Sequence, residues 1–480
     1  MQIEKIKSIM ENTVLVYGDF MVDKYISGTV KRISPEAPVP ILNVTGKESK
    51  LGGAGNVVNN IIAMGATTRV VGCLGEDEDG RWIIDALNNA GADTRYMKLD
   101  KQQQTIVKTR IVSKNQQYLR CDEETVKDIP DSYADFIINS IDEVFDNVTV
   151  VIISDYGKGS ITHRLAQCFI DKAKEKNIPV IVDPKGTEYE KYSGATVCTP
   201  NMNELQVVTG IKVSTEDEIQ EVGEKLRDRL GLTYLMVTRS EDGISVIEHN
   251  KQKKDFPALK KDVVDVTGAG DTVVSITALC LGAGITIEKT CVLANIAASN
   301  VCSKFGAATL SMSELLEGVL YSGQYKYINE ESIEYIVDNL RKKGKKIVFT
   351  NGCFDLVHAG HLSSFEQARE NGDVLIVAVN SDKSVRRIKG EKRPILDEKN
   401  RVALLCALEM IDYVILMEDD TPVRLIEKIR PDVAVKGKDW EGKNIPEEAV
   451  VNSYGGKMVF IELEQGLSTT NIIHKILETN

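Results

Sequence analysis

The sequence has no apolar run long enough to cross a bilayer. The longest, around Val273–Ile285, is too short and contains polar residues. The segment MQIEKIKSIMENTVLVYGD carries scattered charges and no apolar stretch of signal-peptide length. A net charge of −12 provides no basic surface for nucleic acid. We therefore expect neither a membrane nor nucleic acid among the partners.

Paired cysteines are lacking as well. The nine cysteines are odd in number, scattered, and include no C-x-x-C pair. This usage argues against a disulfide framework and against a structural zinc site. We expect the thiols to be small core residues of a protein in the reducing cytoplasm.

What is present is the composition of a globular protein, with 42% hydrophobic and 27% charged residues over 480 positions. This length predicts two or three domains. Short Val- and Ile-rich runs alternate with segments of helical period, which is typical of α/β folds with a mostly parallel sheet covered on both faces. The predicted strands of the first half are Thr13–Tyr17, Arg69–Leu74, Val148–Ser154, Ile178–Val182, Thr196–Thr199 and Tyr234–Thr238.

The rhythm is lost near Tyr321–Lys346, which ends in the basic run RKKGKK, and then restarts. We therefore predict a first domain over residues 1–320, a linker over 321–344, and a smaller doubly wound domain over 345–480.

The strongest motif of the first domain is DVTGAGDT, Asp265–Thr272. It places Gly268, Ala269 and Gly270 before a helix and Asp271 in its first turn. Glycine-rich backbone and a helix N-terminus together form an anion site for a phosphoryl group. Asp271 would then take the proton from the attacking sugar hydroxyl. An ordinary helix start with a capping aspartate is the alternative.

Four further segments support the functional interpretation, because ligands bind at strand ends in such sheets. They are Gly18-Asp19, GGAGNVVNN, VDPKG and TPNMNE. We predict that sugar hydroxyls and phosphate are bound by residues of the first three segments, namely Asp19, Gly52, Gly53, Asn56 and Lys185. Asn201 and Glu204 of the fourth segment are predicted to organise hydrated Mg²⁺ and nucleotide phosphates.

The second domain carries TNGCFDLVHAGHLSSFEQAR, Thr350–Arg369. His358 and His361 are three positions apart and can share one face of a helix start. There they could bind the α-phosphate of a nucleotide and stabilise charge as pyrophosphate leaves. Half-buried structural histidines and a zinc site with Asp355 are the alternatives.

Other residues of this domain are predicted to contact the nucleotide. The cluster Ser468, Thr469 and Thr470 lies before the last predicted helix, where hydroxyls suit phosphate oxygens or plain N-capping. The remaining candidates are Thr350, Asn351, Gly352 and Phe354 in the first loop, and the cations Lys389, Arg393 and Lys436. Solvated loop positions are the alternative for the cations.

With DVTGAGDT and GGAGNVVNN as signatures, residues 1 to about 318 resemble the ribokinase, or PfkB-type, carbohydrate kinases. The resemblance implies that Asp271 is the catalytic base and that Asn201 and Glu204 help to place Mg²⁺. The stretch KRISPEAPVPIL, Lys31–Leu42, is similar to that of heptose-7-phosphate kinases. There it belongs to a small β lid that often pairs subunits, which implies a homodimer through the kinase domain.

Residues 345–480 resemble the cytidylyltransferase-like nucleotidyltransferases, whose H-x-G-H motif is intact. Relatives that use CTP often carry R-T-x-G-x-S-T-T, whereas this chain reads L-E-Q-G-L-S-T-T. The order of the two halves is similar to that of the bifunctional enzymes of ADP-heptose synthesis. The resemblance implies ATP-dependent phosphorylation of D-glycero-β-D-manno-heptose 7-phosphate at O1, followed by adenylyl transfer from ATP to heptose 1-phosphate.

Two other functions stay open on the sequence alone. A fusion of the same two enzyme types could act on another sugar phosphate or use CTP, because pocket shape sets such choices. A regulatory protein could retain the folds without the chemistry. The first phosphorylation would leave phosphates at positions 1 and 7, and no segment resembles a phosphatase. The resemblance thus implies that a separate phosphatase acts between the two steps.

Overall fold

The structure is a computed structural model that describes residues 3–113, 116–259, 263–304, 306, 308–321, 326–328, 330–443 and 445–462. The chain divides into two compact units, one ending at Val319 and the other beginning at Leu320. Both combine helices with parallel strands, so the predicted α/β class is confirmed.

In the first unit, the described strands form two sheets. The strands are β1 Thr13–Gly18, β2 Phe20–Ile33, β3 Pro40–Gly53, β4 Thr67–Gly75, β5 Asp93–Asp100, β6 Ile106–Ser113, β7 Gln116–Glu123, β8 Val150–Ser154, β9 Val180–Asp183, β10 Val197–Cys198, β11 Tyr234–Thr238, β12 Ile244–Glu248 and β13 Lys254–Phe256. The helices are α1 Ile3–Lys7, α2 Ala54–Ala63, α3 Glu78–Ala90, α4 Asp131–Asn139, α5 Ile141–Val144, α6 His163–Glu175, α7 Met202–Thr209, α8 Glu216–Leu230, α9 Ala269–Gly282, α10 Ile287–Cys302 and α11 Met312–Tyr321.

The main sheet has the strand order β13-β12-β11-β10-β9-β8-β1-β4-β5. From β11 to β5 all neighbours are parallel, while β12 and β13 add an antiparallel edge. The order reverses between β1 and β8, and such a switch point opens a crevice at the carboxyl ends of the strands. Buried apolar side chains, for instance the first four residues of β8, hold the helices against the sheet.

The second sheet, β3-β2-β6-β7, is the lid. The long hairpin of β2 and β3 is antiparallel, β2 and β6 are parallel, and β6 and β7 are antiparallel. The stretch Lys31–Leu42 lies at the tip of the β2–β3 hairpin, so the predicted small β lid is confirmed.

The second unit has one described sheet of order β14-β17-β16-β15-β18-β19, parallel throughout. Its strands are β14 Tyr327–Ile328, β15 Ile347–Gly352, β16 Val374–Asn380, β17 Tyr413–Met417, β18 Val433–Gly437 and β19 Lys457–Ile461. Its helices are α12 Glu330–Lys342, α13 Ala359–Arg369, α14 Asp382–Lys389, α15 Glu398–Cys406, α16 Val423–Ile429 and α17 Pro446–Ser453. The sheet order reverses between β15 and β18, where a crevice is again expected.

The segment predicted as a linker belongs, in its described part, to the second unit. β14 pairs with β17, and α12 packs beside α16. Arg341 donates a hydrogen bond to the carbonyl of Ile429 at 2.6 Å, and Glu330 forms an ion pair with Lys428 at 2.8 Å. The prediction of a linker over 321–344 is therefore corrected: the second unit begins well before residue 345.

Candidate active sites

The first unit contains a cleft of about 290 Å³ at the carboxyl ends of its strands. Its lining brings together eight of the predicted residues, namely Gly53, Asn56, Lys185, Asn201, Glu204, Gly268, Gly270 and Asp271. These residues are up to 218 positions apart in the sequence, and the fold converges them on one side of the sheet.

Asp271 lies in the first turn of α9, with 9% of its surface exposed. One carboxylate oxygen accepts a hydrogen bond from the Asn56 amide and the other from the Tyr156 hydroxyl, both at 2.5 Å. Burial raises the pKa of Asp271, while these two donors lower it. Burial also keeps the pKa of Tyr156 well above its usual value, so the phenol remains a donor. The carboxylate is thus oriented by two donors and still has lone pairs for a substrate hydroxyl.

The start of α9 has the conformation that an anion site requires. Gly268 has a φ of +81°, which favours glycine, and precedes Ala269, the first helical residue. The N–H groups of a first helical turn have no acceptor within the helix and carry partial positive charge. Around Gly270 the space that a Cβ would occupy is open, so a ligand can approach this backbone closely.

Asn201 and Glu204 form a reciprocal capping box at the start of α7. The other carboxylate oxygen of Glu204 binds Lys185 at 2.7 Å. Burial raises the pKa of the neighbouring Asp183, and the carboxylates of Asp271 and Glu204 raise it further. These carboxylate and amide oxygens suit Mg²⁺, which keeps several waters and binds through nucleotide phosphates. In the described part of the chain no three His, Cys, Asp and Glu side chains converge as a metal site.

The carboxylate of Asp19 binds backbone N–H groups and does not face the cleft, where a ligand of sugar hydroxyls is expected. Asp19 is 1% exposed, does not line the cleft, and accepts hydrogen bonds from the backbone N–H groups of Tyr156, Lys158 and Ser160 at 2.8–3.1 Å. Asp19 therefore fixes the loop that carries Tyr156 to the base. Gly52, near the end of β3, lies outside the cleft lining, and its Cβ position faces the carboxylate of Asp23.

In the second unit, His358 caps α13 directly after the loop that follows β15. The imidazole rings of His358 and His361 are 3.9 Å apart between centroids. Burial, with the charges of His358 and Lys389, lowers the pKa of His361 to about 4, so this ring is neutral near pH 7. Because its Nδ1 accepts the backbone N–H of His358 at 3.4 Å, the proton is on Nε2, which can donate to a phosphate oxygen.

The rest of this loop supports the histidines. Thr350 donates to the carbonyl of Val435 at 3.1 Å, across the switch point between β15 and β18. The ring of Phe354 packs edge-on against His361 at 5.4 Å and lies against Gly352, where a Cβ would come within 2.9 Å of it. In the structure, Gly352 and Phe354 thus position His361, and Asn351 precedes Gly352 at the end of β15.

The three predicted cations differ in their surroundings. Lys389, at the end of α14, is close enough to His361 to lower its pKa. Arg393 is half-buried and bonded to the carboxylate of Asp355. Lys436 pairs with Glu447 at 2.5 Å and lies over the ring of Trp440. Lys389 is therefore the cation with the most direct access to a bound triphosphate, and Ser468, Thr469 and Thr470 lie outside the described residues.

Asp355 and Arg401 have structural roles that sequence reasoning missed. Asp355, considered as a zinc ligand, instead accepts from Arg393 and from the backbone N–H of Ile395 at 2.6 Å. Arg401 is fully buried and donates to the carbonyls of Leu396, Cys353 and Asn380 and to Asp382, at 2.6–3.0 Å. Among the described residues no group of three or more His, Cys, Asp and Glu side chains that could hold a metal ion includes His358 and His361.

Each unit matches a known protein family. Residues 11–314 match the family model of the pfkB family carbohydrate kinases, and residues 349–475 match the cytidylyltransferase-like model. Bifunctional protein HldE of Geobacter metallireducens is 43% identical over 466 residues, covering 96% of this chain and 95% of that protein. HldE of Haemophilus influenzae is 43% identical over 465 residues, with 96% of each chain covered.

The chain belongs to the HldE family of bifunctional proteins. As a member of that family it is a sugar-phosphate kinase joined to a nucleotidyltransferase, with a sugar and ATP as substrates. Its kinase unit shares its fold with Arabidopsis thaliana ribokinase complexed with ribose and ATP, at TM-score 0.51 and 21% identity, over 64% of this chain and 98% of that one. None of the described helices of this HldE family member is both long and apolar enough to span a membrane.

Proposed function

We propose that the two clefts carry out the phosphoryl transfer and the adenylyl transfer of ADP-heptose synthesis. In the first, D-glycero-β-D-manno-heptose 7-phosphate is phosphorylated at O1 by ATP. In the second, an oxygen of heptose 1-phosphate attacks the α-phosphorus of ATP, forming ADP-heptose as pyrophosphate leaves. The product is a precursor of the lipopolysaccharide core. The HldE relatives support both steps, because they are similar over nearly the whole chain.

The observation that carries the kinase assignment is the buried carboxylate of Asp271 beside the start of α9. Asp271 accepts the proton of the O1 hydroxyl while that oxygen bonds to the γ-phosphorus and the bond from the γ-phosphorus to the leaving ADP breaks. The N–H groups around Gly270 bind the transferring oxygens. Mg²⁺, placed through Asn201 and Glu204, would neutralise the nucleotide phosphates. Asn56 and Tyr156 orient Asp271.

In the transferase cleft, the attacking phosphate oxygen is already ionised, so no general base is required. The neutral His361 donates from Nε2 to the α-phosphate, and His358 and Lys389 lie beside it to stabilise the charge that develops on pyrophosphate. Nucleotide contacts of Thr350, Asn351, Arg393, Lys436 and the Ser468–Thr470 cluster remain part of this proposal.

The test of both assignments is mass spectrometry of the products. The full chain is incubated with ATP or CTP and a panel of sugar 7-phosphates and 1-phosphates. We expect the 1,7-bisphosphate from the heptose 7-phosphate, and the ADP-sugar from the 1-phosphate with ATP. CDP-heptose as the main product, or preference for another sugar, would favour the alternative fusion. No product at all would favour the regulatory protein.

The oligomeric state and the cellular compartment are proposed from exposed apolar residues and from the cysteines. We propose a homodimer through the kinase lid, supported by apolar side chains exposed on it: Ile33 is 60% exposed, Val39 and Val44 52%, and Leu119 53%. We also propose a cytoplasmic enzyme, because all nine cysteines are free thiols and the reactions consume ATP.

Replacing Tyr156 with phenylalanine should move the acidic limb of the kinase pH–rate profile to higher pH. The hydroxyl is one of two donors that lower the pKa of Asp271 against the effect of burial. Without it the pKa rises further, and the base is ionised only at higher pH. The measurement is kcat/KM from about pH 5 to 9, where such limbs report the pKa of the free enzyme's base. Tyr118→Phe, on the exposed face of the lid, is the control. An unmoved limb would show that Tyr156 does not act on Asp271.

Separating the two units should leave both activities close to their original values, because each has a core of its own. The structure requires the cut to fall between residues 321 and 326, ahead of β14. The intermediate bears phosphates at both ends, while adenylyl transfer needs the 1-phosphate. ADP-heptose should therefore form from the 7-phosphate only when a phosphatase is added.

The controls for this experiment use the intact chain. ADP-heptose made by the purified intact chain alone would contradict the need for a phosphatase. Loss of either activity on separation, with both fragments folded by circular dichroism, would contradict the independence of the two sites.

A further inference from the structure

The face of the lid that covers the kinase cleft carries a cluster of charged side chains. Lys108 and Arg110 are two residues apart on β6, so their side chains point to the same face of the sheet. Both line the cleft, as does Asp23 of the neighbouring strand, which is paired with Lys108 in the sheet register. The lid therefore brings two cations to the cleft that holds Asp271.

Within the described part of the chain, two of the three cations that line the cleft form an ion pair with a carboxylate, and the third does not. Lys185 pairs with Glu204 at 2.7 Å, and Arg110 pairs with Asp23. Lys108 has no ion-pair partner among the described residues, and burial lowers the pKa of its ammonium. A partly buried cation without a counter-ion is costly, and an anionic ligand would satisfy it.

Arg110 is held so that part of its guanidinium stays available. One terminal nitrogen is bonded to Asp23, and the group lies 5.5 Å from the ring centroid of Tyr25. A guanidinium has five N–H donors, and its fixed fork suits phosphate. Asp23 and Tyr25 thus orient a phosphate-binding group rather than neutralise it completely.

We infer that Lys108 and Arg110 bind the phosphate that the sugar already carries, at position 7. This inference rests on the proposed function, which gives the substrate one phosphate before the reaction and a hydroxyl at its other end. The start of α9 serves the phosphoryl group in transfer, whereas the lid cations serve the resident phosphate. The acidic cleft, with Asp23, Asp183, Glu204 and Asp271, would otherwise repel a dianion.

Two other cations of the first unit, Arg120 and Lys185, are placed differently. Arg120 lies opposite Arg110 in the β6–β7 register but is 51% exposed, is paired with Asp122, and does not line the cleft. Lys185 lies in the cleft beside Glu204, on the side of the proposed magnesium site. The choice of the phosphate-bearing substrate is therefore assigned to the lid strand β6.

The experiment compares two sugars, the heptose 7-phosphate and the same heptose without phosphate. In Lys108→Met and Arg110→Met, KM for the 7-phosphate should rise roughly 10- to 100-fold while kcat changes little, because a charge-assisted contact is lost from substrate binding. The kcat/KM for the unphosphorylated heptose should stay at the wild-type value. Inorganic phosphate, as a competitive inhibitor, should bind more weakly by a similar factor.

Arg120→Met is the matched control: it removes one cation from the same sheet and should leave all four measurements unchanged. Equal losses for both sugars, an equal effect in Arg120→Met, or an unchanged KM for the 7-phosphate would each overturn the inference. Failure of the proposed function gives a different result, since the wild-type chain would then not phosphorylate the 7-phosphate at all. In that case, loss of phosphate binding in Lys108→Met would still support the anion site.

Discussion

Replacing Asp271 with asparagine should lower kinase turnover by roughly 10²–10⁴. The amide has the shape of the carboxylate and can still bond to Asn56 and Tyr156, so the local structure should persist. It cannot take the proton of the sugar hydroxyl. The attacking oxygen would then carry its proton into the transition state. The loss should appear in kcat, measured by ADP release with heptose 7-phosphate, and less in KM.

The second unit provides an internal control for this variant. Adenylyl transfer to a supplied heptose 1-phosphate should stay near the wild-type rate, because Asp271 belongs to the other unit. Asp135→Asn removes a carboxylate from the kinase surface, where its side chain is 54% exposed, and should change neither activity. Near-normal kinase turnover in Asp271→Asn would refute the assignment of the base.

His358→Ala and His361→Ala should each lower the rate of adenylyl transfer by roughly 10²-fold or more, because a group that stabilises transition-state charge is lost. Kinase activity should survive. Since the pKa of His361 is lowered to about 4, its ring stays neutral over the range from about pH 5.5 to about pH 8 in which the assay would be run. Adenylyl transfer should therefore show no inflection from His361 near the ordinary histidine pKa.

His249→Ala is the matched control, because this histidine is 66% exposed on the kinase unit. It should leave both activities unchanged. Metal analysis of the purified protein decides the remaining alternative. Bound zinc that disappears in both the His358 and His361 variants would replace the phosphate-binding role by a metal site.

The core strands could be predicted from the sequence because of how they are buried. Every residue of β8 and of β16 is buried, and each strand is a continuous apolar run up to its last residue. The lid gives no such signal. All eight residues of β7 are exposed, and the strand exists because it hydrogen-bonds to β6. Its pairing is a tertiary contact, which residue patterns do not encode locally.

The missed helix α12 is a different kind of error. Ile333, Ile336, Val337 and Leu340 are spaced as on one face of a helix, and all four are buried. The period was therefore present in the sequence, and the basic run that follows it concealed the signal. A strand as short as β14 gives too few residues for any pattern.

The candidate sites divide in the same way. Residues in glycine-rich or H-x-G-H motifs, such as Asp271 and His361, could be singled out because the chemistry resides in local sequence. Tyr156 and Lys108 could not, since their relevance depends on contacts with residues far away in the chain, 115 positions in the case of Tyr156 and Asp271. Asp19 was assigned to substrate because its role toward the 156–160 loop is equally non-local.

Arg401 joins the ends of two neighbouring strands of the transferase sheet. Its guanidinium bonds to the carbonyl of Cys353, just after β15, and to that of Asn380, the last residue of β16. Its charge is balanced by Asp382, so it adds little attraction for a nucleotide. The arrangement depends on a planar group with several donors, which an ammonium cannot reproduce. The chain segment that leads from β15 to the two histidines therefore starts from a position fixed by the protein itself, as a preorganised site requires.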